Sequence, residues 1–207
     1  STFLRGMGAY SYSRDNWIIS KEELKQLVDN TSLKQMKVLV VIMYYTGARF
    51  TEVLNLKTTN FIRGEDGNVT IIIKNAKRQD NSIRQLRIPE DIYLWNIVSE
   101  YLDDRELRVK VKMATTDIFD HTFLSDKKAI YNYFYYRFKK LCKKLDNPMS
   151  FHAFRKSRAT SIANKGHSAN QLSGWLGHKS LNMASWYIQN SSALTKDITD
   201  SMKEDDE

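Results

Sequence analysis

Tyr131, Phe134, Tyr135, Phe138, Leu141, Cys142 and Leu145 are spaced at i, i+3, i+4, i+7, i+10, i+11 and i+14. Only an α-helix gathers that spacing onto one face, and so long an apolar face must be buried. The chain must therefore fold its other elements around this helix, which Pro148 ends. Arg137, Lys139, Lys140, Lys143 and Lys144 of the same segment lie largely away from the stripe.

The rest of the sequence reads mostly as helix. Two prolines and eight glycines in 207 residues favour helices over many short strands. Ser20-Lys-Glu-Glu23 is a capping box, followed by Leu24, Leu27 and Val28 at helical spacing. A second helix is expected over about 33–45, with Gly47 placed to end it. Thr51 is expected to cap a short helix carrying Val53, Leu54 and Leu56. Gly64 and Gly67 mark a turn. The β-branched run 69–73 and the alternating run 83–88, closed by Pro89, read as strands around a polar turn at 75–82. Further helices are expected over 92–102, 153–164, 169–176 and 181–188, with Gly166 and Gly177 between the last three and Ser168 and Ser180 as N-caps. Residues 109–125 carry no clear pattern. The expected fold class is mixed α+β, mainly α-helical, with a small antiparallel β-sheet. One domain is expected over 20–190, with peripheral arms at 1–19 and 191–207.

Composition narrows the function classes. Hydrophobic residues at 42% supply a core and exclude a disordered chain. The longest apolar block, 38–45, is far too short to span a bilayer. The single cysteine, Cys142, excludes a disulfide scaffold and a cysteine-rich zinc module. The net charge is +8 and unevenly spread. Between residues 125 and 165, eleven basic residues face two acids, a local excess of +9, whereas the last eleven residues hold six acids and one base. A concentrated basic segment points to a polyanion partner.

Arg49, His152, Arg155, His178 and Tyr187 are the residues whose chemistry stands out. Arg49 follows Gly47 and Ala48 at the end of an apolar helix, and Arg155 lies three residues after His152 on one helical face. Two arginines can clamp a phosphate, a histidine can exchange a proton, and a tyrosine hydroxyl can act as a covalent nucleophile. Each also has a structural reading. Tyr187 is one of eleven tyrosines, and Arg49 could serve as a helix C-terminal charge. No cysteine pair or HExxH accompanies the histidines, so no metal site is expected. Residue chemistry alone allows a phosphodiester site without requiring one.

Three ordered motifs raise that case sharply. Thr46-Gly-Ala-Arg49-Phe-Thr-Glu52-Val-Leu-Asn-Leu56 resembles the first-arginine box of the tyrosine recombinases, the Xer and phage-integrase family. Phe151-His152-Ala-Phe-Arg155 resembles its His-x-x-Arg box, and Leu176-Gly-His178 with Tyr187 nine residues later resembles its final histidine and nucleophile. The resemblance covers about residues 20–190. It implies a tyrosine-recombinase catalytic fold and a site-specific DNA recombinase that passes through a 3′-phosphotyrosyl intermediate on Tyr187. Arg49 and Arg155 would then neutralise the non-bridging oxygens, His152 would accept the tyrosine proton, and His178 would donate to the phosphate. Glu52 would orient a partner. A hairpin lysine would protonate the leaving oxygen, with Lys77 preferred and Lys74 the runner-up.

The same resemblance implies double-stranded DNA as partner and a homotetramer on paired sites. It implies no cofactor and, in a prokaryote, a cytoplasmic, nucleoid-associated protein. Arg137, Lys139, Lys140, Lys143, Lys144, Lys156 and Arg158 are expected to hold DNA. Family members usually carry an N-terminal helical clamp, for which the residues before the capping box are too few, so an isolated catalytic domain is expected. The C-terminal arm resembles the segment that members pass to a neighbouring protomer. Rival readings are a type IB topoisomerase or telomere resolvase, and a DNA-binding accessory protein that does not cleave.

Overall fold

A computed structural model describes residues 18–76, 80–177 and 196–205. Helices α1 (Lys21–Asp29), α2 (Lys34–Thr46) and α3 (Phe50–Leu54) come first. Strands β1 (Phe61–Arg63), β2 (Asn68–Lys74) and β3 (Ile83–Pro89) follow, then α4 (Trp95–Lys110), α5 (Lys127–Lys144), α6 (Phe151–Asn164), α7 (Ala169–Leu176) and α8 (Lys196–Asp205). This is the mixed, mainly helical class with a small antiparallel sheet that the sequence implies.

Helix α2 occupies the centre. Met36, Val38 to Met43, Tyr45 and Thr46 are all buried, so the helix is apolar around most of its circumference. Such a helix must be surrounded, and α1, α4 and α6 pack against it. It stops at Gly47, whose φ of +60° favours glycine. A Cβ there would also lie 2.6 Å from Arg158 Cβ, so α6 rests directly on this turn.

The capping box of α1 forms in full: Ser20 Oγ accepts from the Glu23 N–H, and Glu23 reaches back to the Ser20 N–H. Ser168 and Gln171 make the same reciprocal pair at α7, and Gly177 closes that helix at φ +70°. In α5, Phe134, Phe138, Leu141 and Cys142 are buried, and Tyr131, Tyr135 and Leu145 are half-buried against the core. Phe138 stacks on Phe151 at 4.3 Å between centroids and lies 6.0 Å from Phe154. The apolar stripe of α5 thus seats the start of α6, where His152 and Arg155 reside.

Several boundaries differ from expectation. The N-cap of α3 is Arg49, not Thr51, because the Glu52 side chain reaches back to the Arg49 N–H and starts the helix earlier. The sheet has a third strand, β1, pairing Phe61 with Ile71; three residues are too few to display a periodicity. Helix α4 begins at Trp95 and runs past Leu102, since Arg105 takes the next inward position and bonds Asp120 and Tyr101. Helix α6 starts at Phe151, capped by Ser150. Within the expected C-terminal arm, residues 196–205 form α8: Ile198 and Met202 are buried, and Thr199 Oγ1 donates to the Arg87 carbonyl of β3. The expected helix 181–188 with its cap Ser180, and nearly all of the N-terminal arm, lie outside the described residues.

Phe138→Ala should remove both ring contacts and leave a cavity under α6. Urea denaturation should show a loss of about 3–5 kcal/mol; a loss below about 1 kcal/mol would mean that the α5–α6 seam collapses to fill the space.

Candidate active site

Arg49 and Arg155 are brought together by the ends of three helices. Arg49 begins α3, two residues after the Gly47 turn. Arg155 is buried on α6, where Nη1 donates to the Gly47 carbonyl at 3.1 Å and Nη2 to the Leu176 carbonyl at 2.8 Å. It thereby ties the C-terminus of α2 to that of α7, and Trp175 Nε1 adds a bond to the Thr46 carbonyl at 2.8 Å. His152 lies exposed in the first turn of the same helix. Arg49, His152 and Arg155, with Tyr131, Tyr135 and Lys139, border one groove of about 260 Å³.

Beneath the groove is an acid that water does not reach. The Glu52 side chain has 0% exposure and sits 3.5 Å from Arg49 Nη1. Its Oε1 accepts from the Arg49 N–H at 2.8 Å and from Arg84 Nη2 at 3.0 Å. Its Oε2 accepts from the Ala76 N–H at 3.0 Å and from Arg84 Nη1 at 3.1 Å. Burial by itself would raise this carboxyl; the Arg84 guanidinium and the two backbone donors outweigh it and hold Glu52 below its ordinary value.

Arg84 is not among the residues whose chemistry stands out in the sequence, although the sequence contains its signal. In the run 83–88, Leu86 and Ile88 face the core, and a strand period of two puts Arg84 on the same face. It pairs with Ile73 across the sheet and is 1% exposed. Its Nε donates to the Trp175 carbonyl at 2.9 Å, and Nη1 also bonds Asn75 Oδ1. Asn75 closes the hairpin turn through Ser82, N–H to carbonyl at 3.0 Å and Nδ2 to Oγ at 3.0 Å.

Three arginines thus crowd one carboxylate. Burial, then the charges of Arg49 and Arg84, lower the Arg155 guanidinium from its ordinary value to about 10, against the pull of Glu52. The cluster of Arg49, Arg84, Arg155 and Glu52 carries a net positive charge, and an anion in the groove would relieve it.

The remaining expected residues are placed as follows. Lys74 ends β2 and is exposed. Lys77, His178 and Tyr187 lie outside the described residues. On α5, Arg137, Lys139, Lys140, Lys143 and Lys144 are exposed. Lys139 borders the groove, whereas Arg137 lies 4.4 Å above the Tyr133 ring and Lys144 Nζ donates to the Asn30 carbonyl at 3.3 Å. Lys156 is half-buried. Arg158 points inward: its guanidinium is buried, donates twice to the Tyr44 carbonyl at 3.2 and 2.8 Å, and stacks near the Tyr44 and Tyr45 rings. Its position buttresses α2, since α6 faces α2 along this side. Among the described residues no group of three or more His, Cys, Asp or Glu could hold a metal ion, and no helix is long and apolar enough to cross a membrane.

A depressed carboxylate adds stability that is present above its unfolded value and lost as pH falls through its folded value. The protein should therefore lose stability on acidification below 4.5, the ordinary value for Glu52. Glu52→Gln should be less stable near neutral pH and should show a flatter decline in the acid range, with Asp120, also depressed, supplying part of what remains. Denaturant titrations stepped from about pH 7 to about pH 3 read both effects; parallel curves for the two proteins would show that Glu52 does not titrate with folding.

The phage integrase family model matches residues 18–193. No significant match was found among curated protein sequences. Among solved structures, the chain resembles the XerH site-specific recombinase bound to difH substrate in a pre-cleavage complex, at 24% identity and a TM-score of 0.59, covering 82% of this chain and 49% of that one. It resembles XerA recombinase at 21% identity and a TM-score of 0.60, covering 89% and 64%. It also resembles Flpe in a Holliday-junction complex at 12% identity and a TM-score of 0.51, covering 92% and 53%. The chain thus spans less than two thirds of the length of each of these structures, and at such identities the likeness is one of fold. With the family model matched over most of its length and the same fold beneath the motifs, this chain belongs to the phage integrase family of tyrosine recombinases.

Proposed function

We propose that the chain is the catalytic domain of a site-specific recombinase that breaks and rejoins double-stranded DNA through a tyrosyl ester. The observation that carries this reading is the convergence of Arg49 and Arg155 with His152 on one groove, over a cluster whose positive charge exceeds its one carboxylate. A phosphodiester supplies the anion that such a cluster favours.

In this reading the Tyr187 oxygen attacks the scissile phosphorus and forms a 3′-phosphotyrosyl ester, while the bond to the 5′-oxygen breaks. His152 takes the tyrosine proton, and Lys77 gives one to the departing 5′-oxygen. Arg49 and Arg155 hold the two non-bridging oxygens, whose charge grows in the transition state, and His178 donates to the same group. Donors of this kind contribute about 10²–10³ in rate each. The ester conserves the bond energy, so a 5′-hydroxyl from another strand can reverse the step and exchange strands. The chemistry calls for neither metal nor nucleotide. A tetramer on two paired sites and a cytoplasmic, nucleoid-bound location belong to the same proposal.

The test begins with a random-sequence library of nicked duplexes. Wild-type protein should capture some as SDS-resistant adducts, and sequencing the captured DNA defines the substrate. Tyr187→Phe should bind that DNA and form no adduct, whereas Arg155→Ala should bind it while cleaving about 10²-fold more slowly or worse. Wild-type binding without any adduct would favour a non-cleaving accessory protein.

The logarithm of affinity should also fall linearly with the logarithm of salt concentration. Neutralising Lys139, beside the groove, together with Lys143 one turn later should reduce the slope by about two. A slope unchanged by that double substitution would place the DNA off this side of α5.

A further inference from the structure

We propose that Arg84 is a positioning residue for strand cleavage, fixing the three segments that carry Arg49, Lys77 and His178 without itself touching DNA. The inference rests on the recombinase reading above. Arg84 is 1% exposed, so a direct DNA contact is excluded by burial.

Each partner of its guanidinium lies within three residues along the chain of a candidate catalytic residue. Glu52, which it grips through Nη1 and Nη2, holds the Arg49 N–H at 2.8 Å. The other Glu52 oxygen holds the Ala76 N–H at 3.0 Å, and Arg84 bonds Asn75 directly. Asn75 and Ala76 are the two residues before Lys77. Nε holds the Trp175 carbonyl at 2.9 Å, three residues before His178. Between them, Gly177 lies so close that a Cβ would sit 2.6 Å from Arg84 Nη1 and 2.8 Å from Asn75 Oδ1. Glycine is needed there both for that approach and for the φ of +70°.

One planar group therefore meets α3, the hairpin turn and the end of α7 at once. A guanidinium can do this because its donors point in fixed, diverging directions in one plane; an ammonium concentrates three donors on one atom. Positioning of this kind matters to rate, because a displacement of about 1 Å at a reacting group costs about 10²-fold. Neutralising Glu52 alone would not require contacts to Asn75 and Trp175 as well.

The test uses Arg84→Lys and the double variant Arg84→Met/Glu52→Gln, on the duplex captured by the wild type. The double variant removes both charges of the pair together, so that neither is left buried without the other. Thermal melting and DNA affinity are measured first, the affinity being expected within about threefold of wild type. Single-turnover cleavage is then measured on ordinary DNA and on DNA with sulfur in place of the bridging 5′-oxygen, a leaving group that departs without a proton. Cleavage of ordinary DNA should fall about 10²-fold in both variants, and the sulfur substrate should recover about tenfold of it, since proton delivery by Lys77 is one of the alignments lost. Lys77→Ala in parallel calibrates rescue when only that proton is missing.

Cleavage within about threefold of wild type in the folded double variant would overturn the proposal. So would a fall in cleavage that merely tracks lost folding or binding, with no recovery on sulfur-substituted DNA. In either case a wild-type adduct would leave the recombinase reading standing. If the wild type itself yields no adduct, the reading and the proposal fall together.

Discussion

A carboxylate with no exposed surface persists in a folded protein only if donors replace its water. Glu52 is in that position, and the rest of the site is arranged around satisfying it. Its four hydrogen bonds come from the start of α3, the hairpin turn and Arg84 of β3. Arg84 in turn fixes the end of α7. Segments far apart in the chain are thus registered on one ion pair. Leaving either ion alone in the core would cost about 3–5 kcal/mol, so the pair holds its partners firmly.

The same arrangement leaves the groove above it short of negative charge. Glu52 is occupied by Arg84 and two backbone donors, and can only partly offset Arg49 and Arg155. Arg155 is buried and spends its bonds on the Gly47 and Leu176 carbonyls, which immobilise it. Fixed donors need little rearrangement when an anion arrives, and that is the condition under which such groups stabilise developing charge most effectively. The helix ends and the hairpin turn around the groove hold their places because they are bonded to one another.

Local patterns were legible in the residues. The capping boxes at Ser20 and Ser168 and the glycine stops at Gly47 and Gly177 appear where the side chains place them. The α5 stripe is buried or half-buried throughout. Several groups whose role lies in a tertiary contact, Arg84 and Arg105 among them, carry no such local signal of their partners. Thr51 looked like the cap of α3 because it is the standard residue type, but the Glu52 carboxylate reaches back to Arg49 instead. Helix α4 outran its apolar pattern because Arg105 fills a core position with Asp120 and Tyr101 around it. Helix α8 offers only Ile198 and Met202 among many charges, too few to reveal a docked face.

By itself the sequence determined the helical character, the single small sheet and the ordered set of Arg49, His152 and Arg155 with the motifs around them, since periodicity, capping and motif spacing are written within a few residues of one another. Tertiary structure decided which charges turn inward. Arg84, Glu52 and Arg158 are buried, while Lys139, of no less polar character, borders the groove. A strand or helix period states which residues share a face. Whether a charge on that face can leave water depends on acceptors from elsewhere in the chain: Trp175 for Arg84, and Tyr44 for Arg158.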